Sequence, residues 1–436
     1  MRIAIIGAGF TGLVSALRLS QKGHQVIIFE KEKGPGGLAT GFKQKNWAWT
    51  CEYFFHHLFA SDRVVRNLIS ELGLNNKLFF EKPKTSIYFK GRISRFDSPI
   101  SVLTFPHLSL HQKIRTGIVT AYLKLSNNWQ QLEKITAIQW LKKFYGEKTY
   151  QILWKPLLKS KFGEFFDQIP ASWFWTRIKK RSTKLGYFEG SFQTLINELA
   201  KKIKTNGGQI LLEHEIKSFS ELKKFDRIIF TTPTSIFLKI MNDKLPKDYQ
   251  QKLNQLKMIG VVYLIFTLKE SFLKDGTYWL NVNDSSFPFV AVVEHTNFID
   301  KSHYGNNHIL YVGGYYPQNH RYFRGLINSD ARKDGRPAQR EGRHFKMTKE
   351  EILKEWLPYL QKINPKFSLV SLITSHISRS LYAQPIVPLN YSKIIPSYQT
   401  PVKNVFLACM QQVYPWDRGI NYAVAEGEKI AQLVNS

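Results

Sequence analysis

The chain has 436 residues, more than one small hydrophobic core usually organises, so two or more domains are expected. Hydrophobic residues make up 43% and charged residues 22%, which excludes a disordered or fibrous chain. The 62 basic and 33 acidic side chains leave a net formal charge of +29, a field that attracts nucleic acid, acidic membrane surfaces and phosphorylated small molecules alike. The lysines are scattered along the chain, so this charge reads first as solvated surface, and nucleic acid is not an expected partner. Two cysteines, Cys51 and Cys409, cannot form a zinc site alone or a secreted disulfide framework. No metal is expected, and a reducing cytoplasm is the expected compartment. After Met1-Arg2 the apolar run is Ile3-Ala4-Ile5-Ile6 and enters a glycine-rich turn, unlike a signal peptide. No apolar run reaches the ~20 residues of a membrane span. Because the chain is basic and 14% aromatic, peripheral contact with an acidic membrane stays open.

Residues Arg2 to Ile6 predict a short buried strand. Gly7-Ala8-Gly9-Phe10-Thr11-Gly12 follows, then a helix over Leu13 to Lys22, a stop at Gly23, and a second apolar strand, Gln25 to Phe29, ending at Glu30. Gly7 permits the tight turn, Gly9 lets a pyrophosphate approach the backbone, and Gly12 lets the helix pack closely on the sheet. The helix N-terminus offers free N–H groups and its positive dipole end to the phosphates. Glu30 is placed to accept from the ribose hydroxyls. A strand, the glycine motif, a helix and an acid at this distance together predict a dinucleotide-binding unit. Phe10, Thr11 and Lys31 flank these positions and join the cofactor-binding set.

After Glu30 the chain runs Lys31-Glu32-Lys33-Gly34-Pro35-Gly36-Gly37-Leu38-Ala39-Thr40. A second glycine pair means a second close approach of backbone to ligand. This stretch resembles the second glycine motif of the flavin amine oxidase superfamily, which includes protoporphyrinogen oxidases, phytoene desaturases and monoamine oxidases. The resemblance implies non-covalent FAD, with Gly36, Gly37 and Leu38 lining it. It extends to Gly186–Gln193, to a helix over Thr194 to Thr205 and a strand over Gln209 to Leu212, and to Asp226–Pro233. It places Ile216 where the family contacts the adenine through backbone. Near the end, Asn404–Cys409 reads as a strand, and Trp416-Asp417-Arg418-Gly419-Ile420 stands where the family's last helix points at the flavin. Trp416, Asp417, Gly419 and Ile420 are therefore cofactor-binding candidates, with Asp417 able to cap the helix.

The expected fold is α/β: a discontinuous Rossmann-type FAD domain (1–78, 185–240 and 385–436) with an inserted mixed-sheet and helical substrate domain (79–184 and 241–384). In the insertions, Thr85 to Phe96 is strand-like. Leu110 to Leu125 and Ile135 to Leu157 read as amphipathic helices. Val261 to Leu268, Phe289 to His295 and His308 to Tyr316 alternate as strands. Gly325 to Lys346 is polar and basic and reads as a long surface loop or disordered insertion, in which Asp330–Arg336 could touch a polyanion.

Few side chains are diagnostic of chemistry, because the cofactor carries the redox work. His56 and His57, in Glu52–Phe59, are the catalytic candidates. UDP-galactopyranose mutases, a related family, lay a histidine-containing segment over the flavin, and imidazole titrates near neutrality. The resemblance also raises Lys155 or Lys161 as a lysine near the flavin, and Tyr382 as a pocket wall. The leading function is hydride transfer from a substrate C–H bond to flavin N5. The alternatives are a redox-neutral mutase acting on a sugar nucleotide and a basic flavoprotein scaffold without turnover. The substrate is expected to be a small molecule, apolar or a sugar nucleotide, and 31 Phe and 10 Trp could build an apolar tunnel.

Overall fold

The computed structural model describes residues 1–317 and 342–436. In chain order the main strands are β1 (Arg2–Ile6), β2 (Gln25–Phe29), β3 (Lys84–Phe89), β4 (Arg92–Arg95), β5 (Gln209–Leu211), β6 (Arg227–Phe230), β7 (Met258–Leu268), β8 (Thr277–Val282), β9 (Ala291–Glu294), β10 (His308–Tyr316), β11 (Leu372–Pro385) and β12 (Val405–Leu407). The main helices are α1 (Phe10–Gln21), α2 (Arg63–Glu71), α3 (Pro99–Leu103), α4 (Leu110–Leu125), α5 (Ala137–Tyr145), α6 (Lys155–Phe162), α7 (Ala171–Lys180), α8 (Phe192–Thr205), α9 (Thr234–Met241), α10 (Lys349–Ile363) and α11 (Ile420–Asn435).

β1 is an unbroken apolar run after Arg2, as suits a strand covered on both faces, and Ile3, Ala4 and Ile5 are fully buried. It sits at the centre of a five-stranded, all-parallel sheet ordered β5-β2-β1-β6-β12. The first, middle and last parts of the sequence thus meet in one sheet. α1, α8 and α11 pack together over it, and the core there is aliphatic: Leu13, Val14, Leu17, Leu195, Leu199, Val424 and Ile430. Parallel strands direct their C-terminal ends to one edge, where such sheets bind ligands.

The second sheet has seven strands, ordered β11-β7-β10-β9-β8-β3-β4. It is antiparallel except where β8 lies parallel to β3. β7 is buried at every position, held between β10 and β11 and packed through both faces. α10 covers one of those faces with Ile352, Trp356 and Leu360. A helical insert, α3 to α7, builds its own aromatic core from Trp140, Tyr145, Tyr150, Phe162, Trp173, Phe174 and Trp175. Among the described residues no helix is long and apolar enough to cross a membrane.

The structure departs from the sequence reading in several places. α1 begins at Phe10, not Leu13, because Gly9 is its N-cap and the helix runs through the glycine motif itself. Thr85 to Phe96 is a hairpin, turning at Lys90 and Gly91, both at positive φ (50° and 75°). Ile135 to Leu157 is not one helix. Gly146, at φ 86°, ends α5, and a π-helical turn over Tyr150–Trp154 joins it to α6. β12 stops at Leu407, so Cys409 lies just past the strand. α4 has the expected bounds, but Thr116, Val119 and Leu123 form its buried face while Leu110, Ile114, Ile118, Tyr122 and Leu125 face solvent. The polar stretch from Gly325, including Asp330–Arg336, lies outside the described residues up to 341. Its end does not read as loop: Gly342–Phe345 forms a 3-10 turn, with His344 buried against Tyr316 and Trp356.

Candidate active site

Two glycine loops and two helix N-termini meet at the C-terminal edge of the parallel sheet. Gly7 needs its φ of 104°, and a Cβ there would stand 2.8 Å from Thr231 Oγ1. A Cβ on Gly12 would stand 2.0 Å from the Gly7 carbonyl oxygen, so both glycines are demanded by packing. Gly9 is different. Its φ is an ordinary −71°, and a Cβ there would meet nothing within 4 Å. The fold leaves this space open, and a dinucleotide phosphate at the α1 N-terminus fills such a space. The second loop closes on the first: the Gly36 N–H donates to the Ala8 carbonyl at 2.8 Å, and a Cβ on Gly37 would lie 3.3 Å from Gly9 Cα. Leu38 is half-buried beside them.

Glu30 is buried at the end of β2. Its carboxylate accepts N–H groups of Ala8 (2.8 Å) and Glu32 (3.0 Å), which fixes an acceptor beside the glycine turn. The His214 N–H donates to the Glu30 carbonyl at 2.8 Å, bringing Glu213–Ile216 alongside. An open cleft here is lined by Lys31, Glu213, His214, Glu215 and Lys217. Ile216, between Glu215 and Lys217 of that lining, is itself buried. Phe10 turns its ring into the core, and Thr11 Oγ1 donates to the Ala423 carbonyl at 3.0 Å. Both stand in the first turn of α1, whose backbone N–H groups lack intrahelical acceptors, and the Thr11 bond locks α1 to α11.

α11 also starts at a glycine in ordinary extended backbone, Gly419 (φ 162°), with no side-chain cap. A Cβ there would approach Tyr422 no closer than 3.9 Å. α3, α6's predecessor α5, α8 and α10 instead begin at Ser98, Thr136, Ser191 and Thr348, whose side chains accept backbone N–H groups. Asp417 does not cap α11, contrary to the sequence reading. Its carboxylate is drawn to Lys161 Nζ (2.9 Å), Gln384 Nε2 (3.1 Å) and the Arg418 N–H (3.1 Å). Burial works against the ionised form of Asp417, but Lys161 and Arg418 more than offset it and hold the carboxyl below the usual carboxylate range. Trp416 stacks between Trp175 (5.4 Å) and Tyr422 (6.1 Å), with Lys180 Nζ 4.2 Å from its ring centre. Ile420 is buried at the start of α11.

His56 and His57 border the same region, but not as titrating groups. Burial holds His56 down to about 4 and His57 to about 3, with Arg418 near the former and Arg181 near the latter adding to it. Both are neutral at neutral pH, so the expected proton shuttle through an imidazole titrating near 7 is corrected. His56 Nδ1 is 2.5 Å from the Phe54 carbonyl, to which it donates, leaving Nε2 as an acceptor. His57 Nδ1 is buried without a partner among the described residues, its ring edge-on to Phe59 and Trp279. Of the two lysine candidates, Lys161 is in the cluster and Lys155 is not: Lys155 bonds Gln151 at 2.8 Å. Tyr382 is half-buried on β11, its N–H donating to Ser380 Oγ at 3.2 Å.

Sequence reasoning missed Arg177, Arg181, Tyr315, Gln384 and Arg418. Arg418 bonds Gln384 Oε1 (2.8 Å) and the Tyr315 hydroxyl. Burial opposes ionisation of Tyr315, yet Arg418 and Lys161 bring the phenol below its ordinary value. One signal was available: Arg177 and Arg181 follow an apolar run, Ala171–Thr176, in which polar residues are few.

A parallel sheet with an open phosphate cradle, roofed by a mixed sheet and an aromatic helical insert, defines a dinucleotide-cofactor enzyme fold. The model of the family described as "Flavin containing amine oxidoreductase" matches residues 10–435, and the chain belongs to that family. It is 25% identical over 354 residues to 15-cis-phytoene desaturase, chloroplastic/chromoplastic, from Capsicum annuum, covering 70% of this chain and 59% of that protein. It is 24% identical over 242 residues to 15-cis-phytoene desaturase from Synechococcus elongatus, covering 50% and 51%. The chain thus spans about half to three fifths of the length of these curated relatives. Solved structures with the same fold include an oxidoreductase from Methanosarcina mazei (TM-score 0.72, 16% identity, 99% of this chain and 100% of that one). Putrescine oxidase bound to putrescine is another (TM-score 0.68, 15% identity, 100% and 99%). The family carries a flavin, and the open space at Gly9 and Gly419 fits one.

Proposed function

We propose that the chain holds FAD non-covalently and acts as an oxidoreductase that removes hydride from a substrate C–H bond. The observation that carries this reading is the pair Gly9 and Gly419. Each starts a helix facing the cleft, and neither is required to be glycine by the backbone or by packing. Bound there, the flavin would accept the hydride at N5. The residues of the chain do the rest. The α1 N-terminus and Glu30 hold the nucleotide end. The N–H groups and dipole of α11 stabilise negative charge at the other end. Phe55, Tyr263, Trp279 and Tyr311, packed edge to face, exclude water from the roof. His56 keeps an unprotonated Nε2 in that dry region. The Cys409 thiol, pushed up to about 12 by burial, stays protonated and a poor nucleophile, consistent with a cofactor that is not covalently attached.

The charge of the pocket favours one substrate class. An alkylammonium entering it would meet Lys161, Arg177 and Arg418, all of its own sign. Removal of hydride next to an unsaturated carbon, the desaturase type of reaction, is therefore favoured over amine oxidation. The test is an absorption spectrum of the purified protein before and after denaturation, then anaerobic bleaching with polyunsaturated hydrocarbons and with primary amines. Flavin freed on denaturation and bleached by the former supports the proposal. A colourless protein that takes up no added FAD overturns it, and bleaching by amines alone overturns the choice of substrate.

A further inference from the structure

Three cations, Lys161, Arg177 and Arg418, converge on the Asp417 carboxylate beside the roof of the cleft. Lys161 Nζ lies 5.2 Å from the centre of the Trp173 ring and 5.8 Å from that of Tyr315. Arg177 Cζ lies 5.8 Å from the same Trp173 ring, and Arg418 Cζ 5.5 Å from the same Tyr315 ring. Arg181 stands just past the end of α7 in extended backbone, exposed, at the rim of the cluster. Asp417 is already engaged by Lys161, Gln384 and the Arg418 N–H. Asp97, the other carboxylate near Arg181, is paired with Arg95 at 2.8 Å. Among the described residues, the guanidinium groups of Arg177 and Arg181 have no hydrogen-bond acceptor. The indole N–H of Trp173, a side chain 3% exposed, is also unpartnered.

Uncompensated charge held away from water is costly, and Lys161 is buried and Arg177 half-buried. An arrangement of this kind is stable when a ligand brings the missing anion. A single carboxylate would leave most of the surplus, whereas a diphosphate carries two to three charges on oxygens that match guanidinium forks. We infer that Arg177, Lys161 and the Trp173 indole N–H, with Arg181 at the exposed rim, form a subsite for a phosphate or diphosphate ester on the substrate. The inference deepens the proposed function and rests on it for the identity of the site.

The probe is inorganic pyrophosphate, titrated into the purified holoprotein and followed both by flavin absorbance and by calorimetry. Saturable binding is expected, weakened by at least about tenfold in Arg177→Gln and Arg181→Gln, as loss of a charge-assisted hydrogen bond predicts. Arg177→Lys, which keeps charge and loses the fork, should fall between. Unchanged binding in both Gln variants, or no binding by the wild type, overturns the inference. So does loss of flavin from both variants, which would assign the cations to the cofactor. Calorimetry does not need the flavin, so a colourless protein that still binds pyrophosphate through these arginines would sink the redox reading and leave the subsite standing. Inorganic phosphate as a parallel titrant separates a monophosphate from a diphosphate preference.

A different surface of the same insert carries a second inference. Leu110, Ile114, Ile118, Tyr122 and Leu125 recur every three to four residues, one stripe on α4, and are 50–80% exposed. Ile100 and Leu103 of α3 continue the patch. From Ser98 to Leu132 the chain has no Asp or Glu, but it has Lys113, Arg115 and Lys124, with Lys90 and Arg92 close by around His107. We propose that this face docks on an anionic lipid bilayer, apolar side chains entering the interface and cations meeting headgroups. Flotation with phosphatidylglycerol-containing vesicles should carry the wild type and leave Ile114→Ser/Ile118→Ser behind, while pure phosphatidylcholine vesicles should retain less. Equal flotation of the variant, or none of the wild type, overturns it. A wild-type dimer in solution that this variant dissociates also overturns it, giving the face to a second copy.

Discussion

The two ends of the cleft are built by opposite means. At the nucleotide end, backbone does the work: glycines, helix N–H groups and one carboxylate, Glu30, drawn from consecutive positions. At the far end, side chains do it: Lys161, Arg177, Tyr315, Gln384, Asp417 and Arg418 arrive from elements more than two hundred residues apart. The first end depends on shape: an added atom clashes with the fold at Gly12 and would fill the open space at Gly9. The second depends on charge balance and tolerates no lost partner.

The largest expected effect tests the first end. Gly9→Val meets no protein atom within 4 Å of its Cβ, so the fold should persist while flavin binding is lost. Bound flavin measured against the circular dichroism spectrum checks this, and a variant that keeps its flavin would erase the contrast with Gly12. Next, Asp417→Asn should leave Lys161 buried beside other cations and destabilise the protein by about 3–5 kcal/mol, the usual cost of breaking a buried pair. Asp417→Asn with Lys161→Met should recover part of the loss in urea denaturation.

Glu52 sharpens the comparison, since it is a buried carboxylate without a cation. Burial raises it to about 7, although the Phe192 N–H (3.0 Å) and the Tyr187 hydroxyl (2.7 Å) donate to it. Its folded pKa exceeds its unfolded one, so the folded state binds the extra proton. Stability from this group is present below about 4.5 and is lost as pH rises towards 7, by roughly 3 kcal/mol at about 1.4 kcal/mol per unit. His56 and His57 act with the opposite sign: their depressed values remove stability as pH falls below about 6.5. Stability of Glu52→Gln between pH 4.5 and 8 should therefore rise more steeply than that of the wild type, and an unchanged slope would contradict the assignment. The smallest effect is at Arg18, which bridges Glu71 of α2 and Glu428 of α11 at the surface. Arg18→Ala should cost about 1 kcal/mol, less in high salt.

This contrast also explains what the sequence could disclose. β1, β2, α4 and β10 were legible to the residue because hydrophobic period and glycine punctuation are local signals. The turn at Gly7–Gly12 and the placing of Glu30 beside it were legible for the same reason. The far end was not, since only the largely apolar run before Arg177 sets it apart, and nothing local separates Arg418 from the other basic residues of a chain with 62 of them. Asp417 was noticed but assigned to a cap, because its real partner, Lys161, is 256 positions away. The histidines were noticed for a property, titration near neutrality, that burial removes.

The lock between α1 and α11 has a consequence for synthesis. Val14 and the Thr11 carbonyl press on Gly427 closely enough that a Cβ there would stand 2.8 Å from each. His24 reaches Asn435 at 3.0 Å, and β6 gains its outer neighbour β12 only at Val405. On the ribosome, the first forty residues emerge long before the helices that cover them: α8 follows at Phe192–Thr205 and α11 only at Ile420–Asn435. Until then the nascent chain exposes the surface it will later bury, which makes this segment the place where a chaperone has the most to shield.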